Sequence, residues 1–141
     1  MIIKQLSIFL ENKSGRLTEV TGALSEAKIN ISAFSIADTA EFGILRMIVN
    51  KPEEAEKLLK SKGLSVHITD VVGLIVPHEP GGLHRALNIL SSEGISVEYM
   101  YAFAMGDTAT VIIRTDAVQQ AIEVLQKHKM ELLKTSDVYE V

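Results

Sequence analysis

The chain has no cysteine, which removes disulfides, thiolate metal ligands and thiol nucleophiles from consideration. It also lacks any run near the roughly 20 apolar residues that a membrane-spanning helix needs. Its start, Met1-Ile2-Ile3-Lys4-Gln5, shows neither a charged leader nor a long apolar stretch before a small-residue cleavage site. These absences lead us to expect a cytoplasmic protein with no membrane partner. An excess of cations is missing too. With 14 Lys and Arg against 18 Asp and Glu, the formal charge is -4 and the pI near 5.6. Nucleic-acid surfaces gain affinity from clustered Lys and Arg that displace counterions, so no nucleic-acid partner is expected. Finally, no nucleophile-base pair, no carboxylates flanking a water and no phosphate-binding lysine loop can be picked out.

What is present is a repeat. Displacing the sequence by 66 positions puts Gly15 on Gly81, Leu17 on Leu83, Leu24 on Leu90, Ile29 on Ile95, Ala55 on Ala121, Leu59 on Leu125 and Thr69 on Thr135, with no gap. Ile8/Leu74, Leu10/Val76, Leu45/Val111 and Met47/Ile113 agree in character. One fold is therefore expected twice, as domains 1–68 and 69–141. With 47% hydrophobic residues each copy can bury a core, although units of about 70 residues are marginal alone and should lean on one another.

Within the first copy, the apolar run Ile3 to Leu10 reads as a strand and Glu11 to Ser14 as a turn. Leu17, Val20, Thr21 and Leu24 then fall at helical spacing, so a helix is expected from Gly15 to Ala27 with Ser14 as its N-cap. Ile29 to Ile36 and Phe42 to Val49 form a hairpin about a turn at Asp38 to Glu41. Pro52 opens a second helix, which ends near Gly63, and Leu64 to Ile68 is a last strand. The second copy repeats the order with Val71–Val76, Gly82–Glu93, Val97–Ala104, Thr108–Thr115, Asp116–Lys129 and Leu132–Val138. The expected fold is α+β: two ferredoxin-like βαββαβ units in tandem, their antiparallel sheets side by side with helices on one face.

The alternation of Leu45, Met47 and Val49 with Ile44, Arg46 and Ile48 makes both faces of one strand largely apolar, unlike a sheet with one wet face. Either Arg46 and the strand ends leave a tolerable surface, or a second subunit's sheet covers it.

Residues able to hold a ligand lie in the turn after the first strand of each copy, Asn12-Lys13-Ser14-Gly15-Arg16-Leu17 and His78-Glu79-Pro80-Gly81-Gly82-Leu83. A glycine opening a helix leaves backbone N–H groups uncovered, and with the helix dipole these suit a carboxylate or phosphate. The alternative is that Gly15 and Gly81 merely permit a tight turn.

Pro80-Gly81-Gly82-Leu83 followed by Gly94-Ile95-Ser96-Val97, and Ser14-Gly15-Arg16-Leu17 followed by Ile29-Asn30-Ile31, resemble tandem ACT domains over essentially the whole chain. The resemblance implies a regulatory module that binds amino acids or related metabolites between the first loop and helix of one domain and the second strand of a neighbour. It assigns one site to Asn12, Ser14, Gly15, Arg16 and Leu17 with Asn30 and Ile31. The other falls to His78, Glu79, Pro80, Gly81, Gly82 and Leu83 with Ser96 and Val97. The chain departs from the family pattern, which often has an acidic residue where Asn12 and His78 stand, a proline at Ser14 and a glycine at Lys28. Ser96 also replaces the amide of Asn30, which has both donor and acceptor. The two sites should therefore be unequal.

Other residues carry readings of their own. His78, Glu79 and His84 could hold a divalent metal or serve as polar groups by a solvated turn. Tyr99, Tyr101 and Phe103 alternate as in base-stacking sheets, but without surrounding cations they suit core packing or a subunit contact. Arg16 at a helix N-terminus opposes the dipole, which fits contact with an anion or an acidic neighbour. The expected function is a stand-alone amino-acid sensor, a homodimer or larger, needing no cofactor or metal and acting on its own assembly or on a metabolic enzyme. The alternatives are an assembly module without ligand, and catalysis of the kind seen in small ferredoxin-like hydrolases.

Overall fold

The computed structural model describes residues 1–11, 14–38 and 42–139. Its elements are β1 (Ile2–Glu11), α1 (Arg16–Glu26), β2 (Ile31–Asp38), β3 (Phe42–Val49), α2 (Pro52–Ser61) and β4 (Ser65–Pro77), then α3 (Gly82–Ser92), β5 (Tyr99–Met105), β6 (Thr108–Arg114), α4 (Val118–Lys127), β7 (Glu131–Leu132) and α5 (Thr135–Tyr139). They form two compact units: a first of Lys4–Thr69 with the C-terminal residues from Ser136, and a second of Met1–Ile3 with Asp70–Thr135.

In the first unit the strands run in the order β2-β3-β1-β4. Leu6 faces Met47, Ile8 faces Leu45 and Phe34 faces Met47 across antiparallel ladders. The period of two sends Leu6, Ile8 and Leu10 of β1 and Leu45, Met47 and Val49 of β3 to one side. There they pack with Val20, Ala23 and Leu24 of α1 and Ala55 and Leu59 of α2. The second unit repeats this arrangement as β5-β6-β4-β7. Val72, Leu74 and Val76 join Val111 and Ile113 against Ala86 and Leu90 of α3 and Ala121 and Leu125 of α4. Removing a fully buried leucine such as Leu59 or Leu125, both 0% exposed, is worth about 2–5 kcal/mol. The expected tandem ferredoxin-like architecture is what each half adopts.

All four long helices close alike. The N–H groups of Lys28, Gly63, Gly94 and Lys129 donate to the carbonyls of Ser25, Lys60, Ser91 and Gln126. Those of Ile29, Leu64, Ile95 and Met130 reach back to Leu24, Leu59, Leu90 and Leu125. This is the Schellman closure, in which the residue just past the helix adopts a left-handed backbone and an apolar contact seals the turn. The φ angles are 59° and 58° at Lys28 and Lys129, and 83° and 71° at Gly63 and Gly94.

Four sequence expectations are corrected. The strands expected at Leu64–Ile68 and Val71–Val76 join as one, the 13-residue β4, which starts at Ser65 and leaves Leu64 outside it. Leu132–Val138 is not a strand, because β7 pairs with β4 only through Leu74↔Leu132 and Ile75↔Glu131. Leu133 then lies over Gly73, its N–H donating to the Gly73 carbonyl at 2.8 Å, and Thr135–Tyr139 turns into α5. Ser14 is not the N-cap of α1; that position is Gly15, at φ 90°, with no side-chain cap. β2 and β5 each start two residues later than expected, at Ile31 and Tyr99. The expected turn at Asp38–Glu41 falls largely outside the described residues.

Part of the helix-free face of the first unit is closed by the chain itself. The Lys4 N–H donates to the Tyr139 hydroxyl at 3.0 Å, Val138 is 3% exposed, and Gln5 and Ile48 are 0% and 1% exposed. Further along that face Phe9 stays open and meets His67 edge-on at 6.2 Å. On the corresponding face of the second unit Tyr99 and Tyr101 are half-buried and Phe103 is 43% exposed.

Candidate functional site

Strand β4 ends at Pro77, and the chain must reverse within four residues to start α3. The turn is held by His78 N–H donating to the Asp107 carbonyl at 2.8 Å, Glu79 N–H to Pro77 at 3.0 Å and Gly82 N–H to Glu79 at 3.1 Å. Gly81 takes φ 89° as N-cap, a left-handed backbone that costs other residues roughly 1–2 kcal/mol. Gly82 is required for a different reason: a Cβ there would lie 2.3 Å from the Pro77 carbonyl oxygen. The helix start is thus drawn tightly onto the end of the strand. No side chain caps α3, so the N–H groups of Leu83 and His84 have no partner among the described residues.

Beside this turn lies a groove of about 250 Å³. Its floor is Val76 and Val111, 2% and 1% exposed. Leu83 forms the helix side, Ala102, Phe103 and Ala104 of β5 the strand side, and His78 and Glu79 stand at the mouth. Apolar walls with a few polar groups at one end are the usual make-up of a small-molecule site. The volume falls below the roughly 300–1,000 Å³ of drug-sized pockets.

Of the second set of sequence-assigned residues, the structure brings His78, Glu79 and Leu83 to this groove, with Pro80, Gly81 and Gly82 shaping the turn that carries them. Ser96 is exposed and Val97 packs partly on the core. Neither lines the groove, whose strand wall is instead Ala102–Ala104. These alanines were missed by sequence reading. Their signal was a small residue, Ala102, at the position where the first copy has Ile36.

The first set is arranged differently. Asn12 lies outside the described residues. Ser14, Gly15 and Leu17 are exposed around the start of α1, and Arg16 is engaged by acidic neighbours, 3.0 Å from Glu19 and 3.7 Å from Glu11. That satisfies the cation without an external anion, and as an exposed pair it contributes about 0–1 kcal/mol. Asn30 is held through its backbone, its N–H donating to Asn50 Oδ1 at 2.9 Å and its carbonyl accepting from Asn50 N–H at 3.2 Å. Its carboxamide is left at the surface, and Ile31 packs partly on the core. A hollow of about 410 Å³ beside Arg16 also involves Phe9, Phe42 and Lys62. Its lining mixes Glu11, Arg16, Glu19 and Lys62 with exposed Phe9 and Phe42, and it lacks the fully buried apolar floor of the groove in the second unit. Among the described residues no three His, Cys, Asp or Glu gather to hold a metal, and no helix is long and apolar enough to cross a membrane.

Residues 1–141 match the family model for the ACT domain pair. A protein of Bacteroides thetaiotaomicron of known crystal structure is 53% identical over 100% of this chain and 98% of its own, with a TM-score of 0.95. The regulatory subunit of aspartate kinase from Thermus thermophilus, in a ligand-free form, shares the fold at 15% identity, covering 88% of this chain and 91% of that one with a TM-score of 0.67. Its counterpart from Thermus flavus does so at 15% identity, 88% and 90% coverage and a TM-score of 0.64. No curated protein matches the chain.

Proposed function

The chain belongs to the ACT domain pair family, and from that premise we propose that it is an amino-acid-binding regulatory protein rather than an enzyme. ACT domains are regulatory modules. The observation that carries the reading is the groove between the His78–Leu83 turn and β5, with an apolar floor, uncapped helix N–H groups and the Glu79 carboxylate at one end. Such a site suits a zwitterion: the helix N-terminus favours a carboxylate, Glu79 an ammonium, and Val76 and Val111 an apolar side chain.

Occupancy acts by differential affinity. A ligand that binds one arrangement of the protein more tightly shifts the population toward it, and through it the affinity for a partner. The protein works in the cytoplasm as a homodimer or larger assembly, coupling amino-acid level to its own association or to a metabolic enzyme. The set assigned in the first copy, Asn12, Ser14, Gly15, Arg16, Leu17, Asn30 and Ile31, is the weaker of the two and stays unfilled at concentrations that saturate the groove.

Thermal unfolding of the pure protein against the twenty amino acids and their 2-oxo acid relatives tests this. Ligand at a hundred times its dissociation constant adds about 2.7 kcal/mol, enough to raise the midpoint by several degrees. A selective rise supports the sensor. No rise with any compound refutes it and favours a second reading, an assembly module, for which Phe34 and Ile36 of the first unit, 61% and 48% exposed, supply apolar surface.

A further inference from the structure

The 66-residue offset allows the groove of the second unit to be compared position by position with the first. Leu10, Leu17 and Leu45 correspond to Val76, Leu83 and Val111, so floor and helix wall are apolar in both copies. At the mouth His78 and Glu79 stand for Asn12 and Lys13, and in the strand wall Ala102, Phe103 and Ala104 stand for Ile36, Ala37 and Asp38; the apolar bulk lost on the floor's side of the wall is that of Ile36 of β2, replaced by Ala102 of β5. The ladders confirm the equivalence: Ile36 faces Leu45 and Ala102 faces Val111. Residues directly opposed across an antiparallel pair project to the same face, so both side chains stand on the helix-bearing side, next to the core residue that forms the floor.

Ala102 therefore removes three carbon atoms from the wall at the point where the second unit opens down to Val76 and Val111. A further change acts in the same direction, since Arg16 at the start of α1 corresponds to Gly82, which draws α3 onto Pro77 and frees the mouth of a long side chain.

We propose that Ala102 is the specificity-determining residue of this protein: it opens the amino-acid slot in the second unit, limits the size of the ligand side chain, and confines tight binding to one site per chain. The inference rests on the amino-acid-binding reading above. The occupant is a free amino acid with an apolar side chain, because the slot joins an apolar floor to groups of both electrostatic preferences at one end, the uncapped start of α3 and Glu79.

The test is calorimetric titration of the full chain, wild type, Ala102→Ile and Ile36→Ala, with alanine, valine, leucine and phenylalanine. Ala102 is exposed on β5 and the first unit already carries isoleucine at the equivalent position, so Ala102→Ile should fold. Circular dichroism of each variant checks this. The expected result is one ligand per wild-type chain, at least a tenfold loss of affinity in Ala102→Ile for the best-bound of the four, and no change in Ile36→Ala.

If none of the four binds the folded wild type, this inference fails, and the sensor reading fails with it only when the thermal screen of all twenty amino acids is also blank. Binding at two equal sites, binding untouched by Ala102→Ile, or loss caused by Ile36→Ala overturns the role of Ala102 while leaving the sensor standing. If Ala102→Ile instead changes the sedimentation of the unliganded protein and leaves ligand affinity intact, the slot receives a second copy of the chain and the proposal is wrong.

Discussion

Lys28 and Lys129 stand at φ 59° and 58°, where the equivalent residues of the other copy are Gly94 and Gly63. The four closures share one hydrogen-bond pattern, so the contribution of the left-handed residue can be isolated. A residue with a Cβ pays about 1–2 kcal/mol in that conformation. Glycine avoids this but loses about 0.4–1 kcal/mol through its freer unfolded chain, and removing a cation beyond the helix C-terminus forfeits about 0.3 kcal/mol at an exposed site. Lys28→Gly should therefore gain about 0.5 kcal/mol. Lys28→Ala discards the charge and keeps the strain, so it should fall below wild type, leaving glycine above alanine by about 1 kcal/mol. That order is the reverse of a helix interior, where glycine is the worse by about 1 kcal/mol. The assay is urea unfolding followed by circular dichroism, with thermal midpoints as a check; a 1 kcal/mol difference corresponds to about 2–4 °C. Lys129 should behave alike, and the two gains should add because the sites share no partner. Alanine equal to or better than glycine at both positions would refute the argument.

Gly82→Ala should lower stability by about 1–3 kcal/mol as the strand-to-helix turn opens to clear Pro77, and should abolish any amino-acid-induced thermal shift. Gly73→Ala should cost a similar amount, since its Cβ would meet the Leu133 Cβ at 2.6 Å; hydrogen exchange should show loosened protection from Leu133 onward. Arg16→Ala should change the unfolding free energy by less than about 1 kcal/mol, because its carboxylate partners Glu11 and Glu19 are 56% and 60% exposed. Tyr139→Phe removes the acceptor of the Lys4 N–H and should cost about 0.5–1.5 kcal/mol by equilibrium unfolding.

Where one physical cause dominates, the structure follows the sequence closely. Phe42–Val49 is a strand between the expected residues because a short apolar run rich in Ile and Val follows an expected turn and ends before Pro52. Pro52 and Gly82 open α2 and α3 as their backbone chemistry requires. The misreadings occur where the repeat was extended beyond its reach. Thr69 and Thr135 are equivalent in sequence, but Thr69 lies inside a strand that continues into Asp70 and Val71, whereas Thr135 opens a helical turn that holds Ser136 and Asp137. The turn His78–Leu83 was legible because glycine marks it; the opposing wall at Ala102 was not, because a small residue on an exposed strand acquires meaning only once its ladder partner, Val111, is known.

The exchange of ends described above bears on how such a chain can change over generations. Ile3, 0% exposed, belongs to the unit built mainly from the later half, and Val138, 3% exposed, to the one built mainly from the earlier half. A gene shortened to either repeat would encode a product missing a segment that its own core uses, besides being severed within β4. Duplication is thereby made one-way: the copies can diverge at equivalent surface positions, as Ile36 and Ala102 have, but neither can be shed or shuffled alone.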